Sequence, residues 1–296
     1  MWNAPTVDDA LRPSITRVAV VRVEGTTEAH AIDTLAVEEP LEIRLAWTVG
    51  DAKRDEPVSI TMRTPGHDLE LAIGFLVGEG IVKQSSDVLG AAHVGPGARA
   101  DGTSNTVRVE LARDATSDLG RMARHFYATS SCGVCGKASI DALRIQAPAL
   151  AESVIPAWTP EVLHALPATL RARQPAFEET GGLHAAALFD AKGNLSIVRE
   201  DVGRHNALDK VVGARAMKNA LPASESLLLV SGRASFELVQ KALMAGVPAL
   251  AAVGAPSSLA VELAREAGMM LVGFLRNGRF NVYAGHGRLG GTEICP

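Results

Sequence analysis

Two cysteines separated by two residues, in Ser130-Ser-Cys132-Gly-Val-Cys135-Gly-Lys137, are where this sequence most directly promises chemistry. The thiolate is the reactive form of cysteine, and nearby cations such as Lys137, Arg124 or His125 raise its population at neutral pH. Glycines on both sides let such a loop carry a sulfur to different partners. The spacing alone leaves disulfide exchange, half of a zinc site and sulfur carriage open. A closed zinc site needs four ligands, and Cys295 with one histidine could complete a set, but no second paired knuckle exists.

A second group of polar residues is packed into Arg199-Glu-Asp201-Val-Gly-Arg-His205-Asn-Ala-Leu-Asp209-Lys210. With a helix beginning near Gly203, His205 and Asp209 share one face, and Leu208, Val211 and Val212 form the opposite, buried one. So many acids and bases at one corner must serve each other or a ligand. Two further corners put small polar residues after apolar runs: Ser231-Gly232-Arg233 after residues 227–230, and Gly254-Ala-Pro-Ser257-Ser258 after residues 249–253. Helix N-termini at such corners favour anions, and an arginine can clamp a phosphate with two hydrogen bonds. Neither has the glycine spacing of a dinucleotide or nucleoside triphosphate loop. In Phe274-Leu275-Arg276-Asn277-Gly278-Arg279-Phe280, a buried run ends in a cationic turn between aromatics, suited to a phosphate and a stacked base. Asn277-Gly278 is equally a hairpin signal.

The elements that must position these groups fall into two stretches. Period-2 runs at 17–23, 34–37, 41–47 and 57–63 predict a strand meander. Leu69, Ala72, Ile73, Leu76 and Val77 then recur at helical spacing until Gly78-Glu-Gly80. Residues 95–102 read as a linker, and 106–111 as a strand. From Thr159-Pro160-Glu161, which opens a helix that Pro167 is expected to kink or split, short apolar strands alternate with helices of about ten residues. The strands are 184–189, 195–200, 227–230, 249–253 and 270–274, and the pattern predicts a layered α/β unit with parallel pairings.

Composition fits this picture. In 296 residues, hydrophobic types reach 47% and aromatics only 4%, so the core is built of Ala, Val, Leu and Ile. The length suggests about two domains. A net charge of −4 provides no general field for nucleic acid or an acidic membrane. Three cysteines, with no apolar segment near the start, argue against a disulfide-built secreted protein and for a reducing cytoplasm. No run approaches the roughly 18 apolar residues of a membrane span.

Taken together, the long motifs resemble the formate dehydrogenase accessory sulfurtransferases, FdhD. The resemblance runs from Thr64-Pro-Gly-His-Asp-Leu-Glu-Leu-Ala-Ile-Gly-Phe-Leu-Val-Gly-Glu-Gly-Ile81 through Cys132-Gly-Val-Cys-Gly136 and Thr180-Gly-Gly-Leu-His-Ala-Ala-Ala187. It continues through residues 200–210, Ser231-Gly-Arg-Ala-Ser235 and residues 273–279. It implies an α/β chain, α+β as a whole: a cytidine-deaminase-like layered domain at 141–296, a smaller α+β domain at 14–125, and a cysteine loop at 126–140. It further implies a sulfurtransferase that takes sulfur from a cysteine desulfurase as a persulfide and passes it to the molybdenum of bis(molybdopterin guanine dinucleotide), required by formate dehydrogenase. That cofactor is a bound substrate, and no metal is held by the protein itself.

By the same resemblance Cys132 falls on the persulfide-forming position and Cys135 is its loop partner. Phe274, Leu275, Arg276, Asn277, Gly278 and Arg279 fall on the cofactor-binding stretch. Ser231, Gly232, Arg233, Ser257, His205 and Asp201 complete the candidate pocket. Members are expected to be cytoplasmic homodimers, with no nucleic-acid partner. A non-catalytic carrier of the cofactor is the main rival reading. A zinc deaminase needs His-x-Glu and a downstream Pro-Cys-x-x-Cys, whereas His184 is followed by Ala185 and Ala186. A thioredoxin-like enzyme would put its cysteine pair beside a βαβ pattern, which this pair precedes.

Overall fold

The computed structural model describes residues 14–95, 104–112, 150 and 156–290. The cysteine loop at 126–140, with Cys132 and Cys135, and also Cys295, lie outside the described residues. Strands β1 (Ile15–Glu24) and β2 (Thr27–Ala36) pair antiparallel as a separate two-stranded ribbon, longer than the apolar runs predict.

Strands β3 (Glu39–Val49), β4 (Ala52–Arg63), β5 (Val88–His93) and β6 (Thr106–Leu111) form a sheet in the order β4-β3-β6-β5, with β3 and β6 parallel. Leu41, Ile43 and Leu45 alternate inward beside Val107, Val109 and Leu111, and helix α1 (Asp68–Gly78) covers this face. Pro57 lies inside β4 rather than opening it. That is tolerated because β4 is an edge strand whose register shifts at Ile43/Arg44. The turn into α1 is fixed by a two-pronged ion pair, Arg63 Nε to Asp68 Oδ1 at 2.9 Å and Nη2 to Oδ2 at 2.7 Å, both side chains fully buried.

The remaining strands are β7 (His184–Phe189), β8 (Leu195–Asp201), β9 (Leu227–Val230), β10 (Ala249–Ala252), β11 (Met270–Arg276) and β12 (Arg279–Ala284). They form one sheet, ordered β12-β11-β10-β9-β7-β8. Parallel pairing is confined to β9, β10 and β11; β7, β8 and β12 join antiparallel. The helices here are α2 (Pro160–Arg171), α3 (Pro175–Thr180), α4 (Arg204–Met217), α5 (Phe236–Met244) and α6 (Ser258–Glu266). Thr159 caps α2 by accepting from Val162 N, and α2 continues through Pro167 without a break.

Both faces of this sheet are covered, which is why its strands read as unbroken apolar runs. Leu163, Leu166 and Leu170 of α2 cover Ala185, Ala187, Phe189, Leu229, Ala251 and Val272. On the other face Ala186, Leu188, Leu228, Val230, Leu250 and Ala252 join a core shared with α4, α5, α6, α1 and the first sheet. The architecture is therefore α+β with mixed sheets, the fold class expected. No helix among the described residues is long and apolar enough to cross a membrane.

Candidate functional site

The carboxyl ends of β9, β10 and β11 open side by side, the usual ligand position of such sheets. Their loops are laced through the backbone: Gly254 N donates to Gly232 O at 2.9 Å, Phe274 N to Gly254 O at 2.9 Å, and Ser257 N to Ala234 O at 3.0 Å. A Cβ at Gly254 would lie 3.0 Å from Gly232 O and 3.2 Å from Arg233 Cα, so a side chain here would crowd the neighbouring loop. The mouth is thereby set by main chain rather than by mobile side chains.

On its rim stand three exposed arginines, Arg233, Arg276 and Arg279, none in an ion pair among the described residues. Asn277 and Gly278 form the β11–β12 turn with φ of 54° and 70°, the left-handed pair of a tight hairpin. This turn seats Arg276 directly opposite Arg279, and like charges so placed repel until an anion lies between them. The Arg276 guanidinium sits 5.9 Å from the Phe274 ring centroid, and Phe274 itself has φ of 55°, uncommon for a bulky residue. Leu275, placed in the pocket by resemblance, is instead 1% exposed and anchors the hairpin in the core.

Other candidates have protein partners. Ser257 caps α6, its Oγ accepting from Ala260 N at 3.3 Å. Ser231 Oγ accepts from Ala185 N at 2.9 Å and lies 3.5 Å from His184 Nδ1. His205, half-buried, is 2.9 Å from Glu237 Oε2 and 3.4 Å from Ser235 Oγ. That hydrogen bond holds Glu237 below the usual carboxylate range, against the effect of burial.

The acid–base corner is where expectation and structure part. Asp201 is fully buried: Oδ2 pairs with Lys210 Nζ at 2.7 Å and accepts from Thr64 N, while Oδ1 accepts from Gly203 N and Asn206 Nδ2. Both oxygens are occupied, so Asp201 does not reach the mouth. Asp209 does not share a solvated face with His205 either. Helix α4 is buried on all sides from Asn206 to Ala214, and Asp209 pairs with Lys241 of α5 at 2.8 Å. Burial pushes the Asp209 carboxyl up to about 6, and Lys241 only partly offsets it. The corner's charges serve each other.

The structure adds His184 and Arg204 to the mouth. A Cβ on Gly232 would lie 3.4 Å from His184 Nδ1, and Arg204 Nε is buried without a partner among the described residues. No sequence motif brings the start of β7 beside the end of β9; only their antiparallel pairing does. Burial, aided by Arg204 and His205 and opposed by Asp201, holds His184 below its ordinary value of 6.5. The unfolded chain then binds a proton that the folded chain refuses, so stability falls as pH drops through 6.5. Thermal unfolding followed between about pH 7.5 and 5.5 should fall less steeply for His184→Gln than for the parent. Parallel pH curves would contradict this.

The profile described as the FdhD/NarQ family matches residues 36–290. The sulfur carrier protein FdhD of Streptomyces coelicolor is 53% identical over 277 residues, covering 92% of this chain and 95% of that protein. The protein so named from Saccharolobus solfataricus is 40% identical over 91% of this chain and 96% of its own length. A crystal structure described as a formate dehydrogenase accessory protein from Desulfotalea psychrophila superposes with a TM-score of 0.69 at 23% identity. It covers 94% of this chain and all of that one, a likeness of fold. With a profile match over most of its length and relatives at half identity, the chain belongs to the FdhD/NarQ family.

Proposed function

We propose that this chain is a cytoplasmic sulfur carrier, acting as a homodimer, that accepts sulfur on Cys132 from a cysteine desulfurase. It then delivers that sulfur to the molybdenum of bis(molybdopterin guanine dinucleotide) for a formate dehydrogenase. The observation that carries the reading is the mouth itself: three arginines and the Arg204 Nε, all without a polar partner among the described residues, around the ends of β9 to β11. It suits an anionic substrate with two pyrophosphates. In support, Cys132 and Cys135 fall inside the stretch that matches the family, and the relatives bear the name sulfur carrier.

In the first step the Cys132 thiolate attacks the terminal sulfur of the donor's cysteine persulfide. The donor S–S bond breaks and its cysteine leaves as a thiolate. In the second, the Cys135 thiolate attacks the inner sulfur of the Cys132 persulfide, and the outer sulfur departs as sulfide to the molybdenum of the substrate. A Cys132–Cys135 disulfide remains and is reset by a thiol reductant. Arg233, Arg276 and Arg279 hold the phosphates, and His184 stands beside Gly232 at the rim.

Incubation with a cysteine desulfurase and L-cysteine should add one sulfur by intact mass, mapped to Cys132 and absent from Cys132→Ser. Loading elsewhere, or none, would leave a non-catalytic carrier of the cofactor as the better reading. Cys135→Ala should load normally yet fail to sulfurate the cofactor in a single turnover.

A further inference from the structure

At the other end of the large sheet, away from the mouth, a cleft of about 620 Å³ follows the edge of β8, which no other described strand pairs. Its walls include Thr169 of α2, Arg173 just after that helix, Ser196, Val198 and Arg199 of β8, and Lys218 after α4. Among the described residues, three cations and no carboxylate line it. Arg199 is bound to Glu70, Nη2 to Oε1 at 2.7 Å, whereas Arg173 and Lys218 are exposed and without an ion pair among the described residues.

The floor of this cleft is open backbone. Ala185 exchanges hydrogen bonds with Ser231, so its polar groups face β9 and those of its neighbours His184 and Ala186 face β8. Their register partners, Asp201 and Arg199, therefore face β7, which turns Val198 and Glu200 outward. Toward the mouth this edge is already closed: Glu200 O accepts from Lys210 Nζ, and Val202 N donates to Thr64 Oγ1 at 3.1 Å. Val198 O accepts from Arg199 Nη1 at 2.8 Å, leaving the Val198 N–H as the outward donor in the cleft. The register shift at Leu188/Phe189 places Ser196 opposite no residue of β7, so the edge is interrupted there and only a short contact fits.

We propose that this cleft binds an extended acidic segment of a partner protein. The segment lies along β8, accepts a backbone hydrogen bond from Val198 N, and sets its carboxylates against Arg173 and Lys218. Charge selects the partner: an exposed edge recognises any extended chain, and the cations restrict it to an acidic one. The inference does not depend on sulfur chemistry, since no group of the mouth takes part.

The test uses the full chain and two fluorescent peptides of about ten residues, one alternating Glu with Val and one alternating Lys with Val. The acidic peptide should bind saturably, the basic one should not, and R173E/K218E should lose about tenfold or more in affinity while unfolding at the parent's temperature. Amide exchange at Val198 should slow when the acidic peptide is added. Equal binding of both peptides, unchanged affinity in the charge-reversed variant, or an unaltered Val198 amide would overturn the proposal. So would displacement by inorganic phosphate at the peptide's own concentration, the mark of a simple anion site. A loss of self-association in R173E/K218E without peptide binding would overturn it in favour of a second copy of the chain.

Discussion

Gly213→Ala should fail to reach a stable fold. Helices α1 and α4 cross with main chain against main chain: a Cβ on Gly213 would lie 1.8 Å from Glu70 O, and one on Gly74 would lie 1.8 Å from Asp209 O. Ordinary carbon to oxygen contact is about 3.3 Å, so a single methyl must push the helices apart by roughly 1.5 Å. No flexible side chain can yield in its place. Separation would loosen the packing of Ile73 and Leu76 with Leu208, Val211 and Val212 at the centre of the shared core. It would also strain the pairs Glu70–Arg199 and Asp209–Lys241, which tie α1 to β8 and α4 to α5 beside the crossing. A cost above about 3 kcal/mol is expected, a large share of the net stability of an ordinary domain. Gly74→Ala should behave alike, while Gly287→Ala, with nothing within 4 Å of the added carbon, should be silent. Denaturant unfolding measures all three. A Gly213→Ala chain within about 1 kcal/mol of the parent would mean that the crossing is not close-packed.

That crossing was not legible in the sequence, although the two helices were. Spacing in Leu69, Ala72, Ile73, Leu76 and Val77 gives α1 its apolar side, and the polar cluster after Gly203 marks the start of α4. Nothing in either pattern says that Gly74 meets Asp209. The same limit explains the misjudged face of α4. A pattern with Asp209 and His205 four residues apart predicts a wet stripe, but Lys241, 32 residues further on, neutralises Asp209 and α1 covers it. Strand β4 was half visible because Lys53-Arg-Asp-Glu56 is polar on both faces of an exposed edge. Strand β5 carries Gly90 and His93 and alternates too weakly to be noticed. At the mouth, the loops after β9, β10 and β11 were readable from apolar runs followed by small polar residues. The Asn277-Gly278 turn was readable because its left-handed geometry restricts residue choice. His184 and Arg204 were not, since they arrive through pairings between distant strands.

Lys210→Met should cost roughly 3–5 kcal/mol, because it strips the counter-charge from a carboxylate with no access to water. Lys210 Nζ, besides pairing with Asp201, donates to Thr64 O at 2.8 Å, while Thr64 N donates to Asp201 Oδ2 and Thr64 Oγ1 accepts from Val202 N. Asn206 adds a bond to Met62 O at 2.8 Å and accepts from Thr61 Oγ1 at 3.2 Å. This clamp fastens the β4–α1 turn to the β8–α4 corner and so holds the first sheet to the second. Replacing both ions should be milder than replacing one: Asp201→Asn with Lys210→Met should recover much of the single loss, since no charge is left buried alone. The cycle also decides what Asp201 does. A residue that contacts the cofactor would, when changed to Asn, lose affinity at unchanged stability. The clamp requires the reverse, a lower unfolding midpoint with cofactor affinity preserved in the chains that remain folded. A stable Asp201→Asn protein with impaired binding would return this carboxylate to the mouth and leave Lys210 without an explanation for its burial.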